Sequence, residues 1–190
     1  MAKQIWKPGN MVYPVPAVMV SSISPDGKPN IMTAAWTGTV CSDPAMAYVS
    51  IRKERYSYDL IRSSGEYVIN LTNEALAYAA DYCGVRSGRD EDKFARMRLT
   101  PEKAAEVAAP LIAESPVNIE CRVREIREYG SHDMFVAEVV AVHADEKYMD
   151  KKGRFCLERA GLIAYSHGTY YCLGKALGKF GFSVAKNKPT

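Results

Sequence analysis

The sequence predicts a mainly β fold, antiparallel, with helices inserted between strands. Three observations carry that expectation. Apolar and polar residues alternate through "AMAYVSIRK" and "VNIECRVREI" with the period of two of a half-buried strand. Turn signals, Asp26-Gly27 foremost, join neighbouring apolar runs as hairpins. The helical stretches do not alternate strictly with strands, so the βαβ pattern of a parallel sheet is missing. An antiparallel barrel or sandwich with helical insertions fits all three.

In chain order, "AVMVSSIS" and "IMTAAWTGTVC" read as strands on either side of "PDGKPN". In "AMAYVSIRK", Ala47, Val49 and Ile51 share one face, and Tyr48, Ser50 and Arg52 share the other. "YSYDLIRSSGEY" reads as a short helix. Ser57 suits its N-cap, Asp59 its first turn and Gly65 its C-terminal stop. "YVINL" is a strand, "NEALAYAADYCG" a helix ending at Gly84, and "SGRDEDKFARMRL" leads into a further helical turn. Val117, Ile119, Cys121 and Val123 form the apolar face of the next strand, opposite Asn118, Glu120, Arg122 and Arg124. "MFVAEVVAVHAD" is apolar on both sides, as a buried strand is, and "YGSHD" joins these two strands as a hairpin loop. The sum is about six strands.

The 190 residues fit one domain, spanning 1–190, with no linker or repeat. A hydrophobic fraction of 47% and a charged fraction of 25% are ordinary for a soluble globular chain. A net charge of only +3 argues against a dedicated nucleic-acid binder and leaves room for a local anion site. No apolar run approaches the length of a membrane span, so no membrane partner is expected. The start, "MAKQIWKPGN", lacks the apolar core of a signal peptide, which gives a cytoplasmic expectation. Cys41, Cys83, Cys121, Cys156 and Cys172 form no CxxC pair and read as buried or free reduced thiols. His132, His143 and His167 fall in no metal-ligand spacing, and no metal is expected. No GxGxxG or nucleophile elbow occurs, and "GKALGKFG" lacks the spacing and the Ser or Thr of a P-loop.

Two segments are candidate anion sites. In "SIRKERYSYDL", a strand rich in cations at Arg52, Lys53 and Arg55 runs into a helix start. Free N–H groups and the helix dipole favour an anion there, and Ser50, Arg52 and Ser57 supply donors. A solvated basic loop with a plain serine cap is the other reading, and for this segment taken alone it is the favoured one, since serine caps are common. In "GVRSGRDEDKF", Ser87-Gly88 suits a tight turn exposing backbone N–H groups, with Arg86, Arg89 and Lys93 nearby; a capped helix with paired surface charges is the other reading. "NIMTAAW" places small residues beside Trp36, room and wall for a flat ligand, or simply a hairpin strand with a half-buried tryptophan. The tyrosines of "YSHGTYYCLG" read as core packing or as part of a site.

Taken in order, "YPVPAVMVSS", "DGKPNIMTAAW", "VSIRKERYSYDLI", "CGVRSGRDEDKF", "GSHDMFVAEVV" and "YYCLGKALGKFGFS" resemble the flavin reductase-like, FMN-binding split-barrel family, in particular its flavoredoxin branch. The resemblance runs over nearly the whole chain. It implies an antiparallel split β-barrel and a homodimer with FMN near the subunit interface. It implies that Asn30, Met32, Thr33, Ala34 and Trp36 line the isoalloxazine and ribityl chain, with Cys41 and Ser42 where the next strand faces the ring. It implies a phosphate seat at Ser50, Arg52, Ser57, Ser87 and Lys93, with the loop histidine at His132 and a C-terminal aromatic, Tyr171 or its neighbour Tyr170, meeting the flavin. No side chain is assigned a proton-transfer role. The implied activity is an FMN oxidoreductase that accepts hydride from NAD(P)H and passes electrons to a flavin, ferric or other acceptor. The alternative is a non-enzymatic electron carrier between protein partners.

Overall fold

The structure is a computed structural model, and it describes residues 1–185. The last five residues of the expected 1–190 domain lie outside that range. Among the described residues the chain forms twelve strands. They are β1 (Val15–Pro16), β2 (Val18–Ile23), β3 (Pro29–Ala34), β4 (Thr37–Ser42), β5 (Ala45–Ile51), β6 (Glu66–Leu71), β7 (Pro101–Glu102), β8 (Leu111–Ile112), β9 (Val117–Glu128), β10 (Asp133–Ala144), β11 (Ile163–Ser166) and β12 (Thr169–Cys172). Helices α1 (Tyr56–Ser64), α2 (Ala77–Val85) and α3 (Lys93–Met97) are inserted between them.

Seven strands form one antiparallel sheet in the order β3-β2-β6-β9-β10-β5-β4. Its two edge strands, β3 and β4, are consecutive in sequence and separated only by Ala35 and Trp36. An extended residue covers at most about 3.6 Å, so so short a link draws the two edges together. The sheet therefore curls into a barrel, split where β3 faces β5, and the Ser50 N–H closes on the Trp36 carbonyl at 2.8 Å. The expected single strand "IMTAAWTGTVC" is accordingly two strands, broken at that crossing.

The alternation of β5 holds: Ala47, Val49 and Ile51 are buried, while Tyr48 and Ser50 are half-buried. The inward faces of the barrel pack Val18, Val20, Met32, Val49, Tyr67, Ile69, Cys121 and Phe135 around one another. Strand β2 is buried on both faces, because Met19 points outward beneath α2 and packs with Ala79, Ala80 and Cys83. Gly27 takes φ 81° in the β2–β3 turn, and Gly65 takes φ 70° as the C-cap of α1, as its position predicted.

Two local expectations are corrected. The N-cap of α1 is Arg55 and makes no side-chain cap; Ser57 lies inside the helix, where it is buried. Helix α2 runs one residue past Gly84 to Val85. Gly84 marks close packing instead of a stop, since a Cβ there would sit 3.2 Å from Thr33 Cβ on β3.

The polar face expected on β9 is only partly polar surroundings. Arg124 is exposed and pairs with Glu138, but Asn118 and Glu120 are buried under the 104–112 segment. The Glu120 carboxylate accepts the backbone N–H groups of Ala105 (2.8 Å), Glu106 (2.7 Å) and Val107 (3.0 Å) and meets His143 Nε2. Burial pushes its pKa up, and these donors outweigh that and hold it below the usual carboxylate value. Its folded pKa being the lower one, its stabilisation is present above the unfolded carboxylate pKa and fades as pH falls through the folded value. Glu120→Gln is expected to cost about 2–4 kcal/mol at neutral pH, and urea titrations should show the deficit against wild type shrinking in acid. A deficit independent of pH would remove the ionised carboxylate from that role.

Candidate functional site

Two adjoining hollows open at the split in the barrel. The larger, about 750 Å³, is walled by Met32, Thr33, Ala34, Ala35 and Trp36 on one side and by the 129–132 hairpin loop on another. The smaller, about 480 Å³, lies between the start of α1 and the turn from α2 to α3. Met32, Arg52, Arg55 and Val85 line both, so the two are one continuous site with a flat end and a basic end. Volumes of this size suit a small organic ligand.

The flat end is built by aromatic rings. Trp36 lies nearly parallel to the His132 ring at 6.4 Å, and Tyr13 packs edge-on against Trp36 at 6.2 Å. Tyr165 and Tyr170, from the β11–β12 hairpin, complete the wall and contact each other edge to face. Burial foremost, with Asp81 nearby, pushes the Tyr170 hydroxyl up to about 12, so it stays protonated.

His132 sits at the head of β10 beside Asp133, which is fully buried. Asp133 Oδ2 accepts the Tyr58 hydroxyl at 2.6 Å and meets Lys53 Nζ at 3.4 Å. Those bonds pin the hairpin loop to α1 and fix the stem from which His132 enters the cleft. Burial and the neighbouring Arg52 lower the pKa of His132, so the ring is neutral near pH 7. Ser131 Oγ engages its Nδ1 at 2.9 Å, leaving Nε2 for a ligand.

The basic end holds the buried residue Lys93, only 4% exposed. Its Nζ donates to the carbonyls of Cys83 (3.1 Å) and Arg86 (3.0 Å), and no carboxylate pairs with it among the described residues. Burial lowers its pKa, the mark of a cation short of compensating charge. Beside it, Asn30 Nδ2 donates to Ser57 Oγ at 2.7 Å, which leaves the Ser57 hydroxyl proton free for another acceptor. The start of α1 lines the same end through Arg55, Tyr56 and Ser57, and the N–H groups that open a helix lack partners four residues earlier. Gly88 makes this packing possible, since a Cβ there would fall 1.9 Å from Asn30 Oδ1.

Of the residues expected in the site, Asn30, Met32, Thr33, Ala34, Trp36, Ser50, Arg52, Ser57, Ser87, Lys93 and His132 all line these hollows. Thr33 turns out to spend its hydroxyl on the Ala80 carbonyl, tying α2 to β3. Cys41, Ser42 and Tyr171 line neither hollow; Tyr171 is 54% exposed, and its neighbour Tyr170 takes the wall position. Lys53 turns away to Asp133 and Glu128. Arg55, not among the site residues expected from the sequence, lines both hollows, its guanidinium anchored to the Gly84 carbonyl at 2.9 Å. Its place just before the helix start was the signal.

The comparisons with known proteins bear on this geometry. Flavoredoxin of Desulfovibrio vulgaris (Miyazaki F) superposes with a TM-score of 0.90 at 32% identity, covering 97% of this chain and 100% of that one. A protein of Archaeoglobus fulgidus is 33% identical over 141 residues, which are 74% of this chain and 78% of its own. The reductase component of a 4-nitrophenol 4-monooxygenase/4-nitrocatechol 2-monooxygenase from Rhodococcus opacus is 28% identical over 67% of this chain and 65% of its own. The flavin reductase like domain matches residues 10–171, a span that contains every residue lining both hollows. The chain belongs to the flavin reductase-like family.

Proposed function

We infer that the chain is an FMN-binding oxidoreductase whose cleft seats the flavin ring at the aromatic end and its phosphate at the basic end. The observation that carries this reading is Lys93, a buried ammonium with no carboxylate partner among the described residues, at the floor of the basic hollow. A phosphate fits what Lys93, Ser57 and the α1 N-terminus lack: an acceptor bearing negative charge.

The chemistry supplied by bound FMN is two-electron exchange between a reduced nicotinamide, as hydride donor, and a flavin, ferric or other acceptor. The chain's own residues bind and orient. Lys93, Ser57 and Arg52 hold the phosphate, with Ser50 and Ser87 beside them. Met32, Ala34 and Trp36 wall the ring and exclude water. Neutral His132 offers a hydrogen bond to negative charge on the ring without adding a full cation. No nicotinamide-binding motif is needed, since the open aromatic end has room for a second planar ring over the first.

A homodimer belongs to this reading. It is supported by the apolar side chains exposed on both chain ends, among them Ile5, Trp6, Leu177 and Phe180. The likeness to flavoredoxin favours a second reading of the same site, an electron carrier between protein partners. Stopped-flow mixing separates the two. Rapid bleaching of bound FMN by NADH or NADPH supports the reductase, and reduction by a protein donor alone supports the carrier.

The purified protein is expected to be yellow and to release FMN on denaturation; a colourless protein that takes up no FMN in titration sinks the reading. Lys93→Met should weaken FMN binding by about 1–3 kcal/mol, measured by flavin fluorescence quenching, and unchanged affinity would remove Lys93 from the phosphate seat. Light scattering should return twice the chain mass, and a clean monomer would count against the dimer.

A further inference from the structure

The basic hollow carries more charge than one phosphate can use. Arg52, Arg55, Arg86, Arg89 and Lys93 line it, against the single carboxylate of Glu54. A phosphomonoester such as that of FMN brings only about −1.5 to −2. The cations also sit at two depths. Lys93 is buried at the floor, whereas Arg86 and Arg89 are exposed at the mouth.

The two rim arginines are differently employed. Arg89 is held in place: it donates to the Glu54 carbonyl at 3.1 Å, pairs with Asp59 at 3.4 Å, and lies over the Tyr56 ring at 5.1 Å. Its guanidinium is thus preorganised on the wall. Arg86, the C-cap of α2, makes no side-chain hydrogen bond or ion pair among the described residues, though it stands on the same wall. Between them Gly88 is locked against Asn30, which fixes the Arg86–Arg89 turn at the edge of the hollow.

We propose that Arg86 and Arg89 form a second phosphate subsite, which takes a phosphate that FMN does not carry, from an adenine dinucleotide. The inference rests on the FMN reading, which places the first phosphate at Lys93. A chain continuing outward from that phosphate meets the rim next. Guanidinium planes pair with phosphate oxygens and stack on purines, so an adenosine phosphate matches both capacities. Two sources share this chemistry: the adenylate half of FAD, and the adenosine 2′-phosphate by which NADPH differs from NADH.

The test uses the full chain stripped of flavin. FMN and FAD are titrated by fluorescence quenching into wild type, Arg86→Ala and Arg86→Glu, at low and moderate salt. Arg86 is exposed and its side chain makes no hydrogen bond or ion pair among the described residues, so the fold should survive; circular dichroism and thermal unfolding check that, with Arg89→Lys as an independent variant. In the FMN-loaded protein, the half-saturating concentrations of NADPH and NADH for bleaching are compared in the same variants. If FAD is the source, Arg86→Glu should lower FAD affinity about tenfold more than FMN affinity. If NADPH is the source, its half-saturating concentration should rise about tenfold relative to that of NADH. Equal changes for FMN and FAD together with equal changes for the two nicotinamides, in both Arg86 and Arg89 variants, overturn the subsite. Wild type that binds no FMN overturns the parent reading instead.

Discussion

Ala35 and Trp36 join the two edges of a seven-stranded sheet, and most of the rest follows from that link. Two residues cannot bridge the width of an open sheet, so the sheet must curl until its edges meet. The meeting is incomplete: one hydrogen bond, from Ser50 to Trp36, spans the place where β3 and β5 part. The cleft opens at that place. Small side chains on the link's approach, Thr33 to Ala35, keep the opening from filling, and Trp36 stands at its edge as a wall.

Among the described residues three charged side chains, Glu120, Asp133 and Lys93, are buried, each with a different resolution. Glu120 collects three backbone N–H groups and thereby staples the 104–112 segment onto the barrel. Asp133 takes the Tyr58 hydroxyl and the Lys53 ammonium, which fixes the hairpin that carries His132. Lys93 donates to two backbone carbonyls and, among the described residues, pairs with no carboxylate. Dipoles of two peptide groups do not replace a counter-ion, so this charge alone is left wanting an anion. The first two hold the fold together, and the third supports a phosphate seat. The close packing of Gly88 against Asn30 sets the arginine-bearing turn at the mouth.

Legibility in the sequence followed the range of the forces involved. Alternation in β5, the Asp26-Gly27 turn and the Gly65 stop are set by neighbours a few residues away, and each was readable. Ser57 reads as a cap because serine before an apolar helix satisfies the local rule, whereas in the fold its hydroxyl oxygen accepts from Asn30, 27 residues earlier. Gly84 was misread as a stop for the same reason: its lack of a side chain answers Thr33 on a distant strand. Asn118 and Glu120 read as a solvent face, since nothing in β9 itself announces the segment that covers it.

What the sequence by itself determined was the class of the fold, the faces of its strands, and the residue types gathered near "SIRKERYSYDL" and "SGRDEDKF". Resemblance to a family then ordered those residues into one expected site. Only the tertiary structure decided which of them face one cavity. It brought Arg55 into that cavity, turned Lys53 out of it, and chose Tyr170 over Tyr171 at the wall. The physical reason is the closure of the sheet. Strand alternation fixes which way a side chain points within its own strand, but which strand lies opposite depends on how the two edges meet.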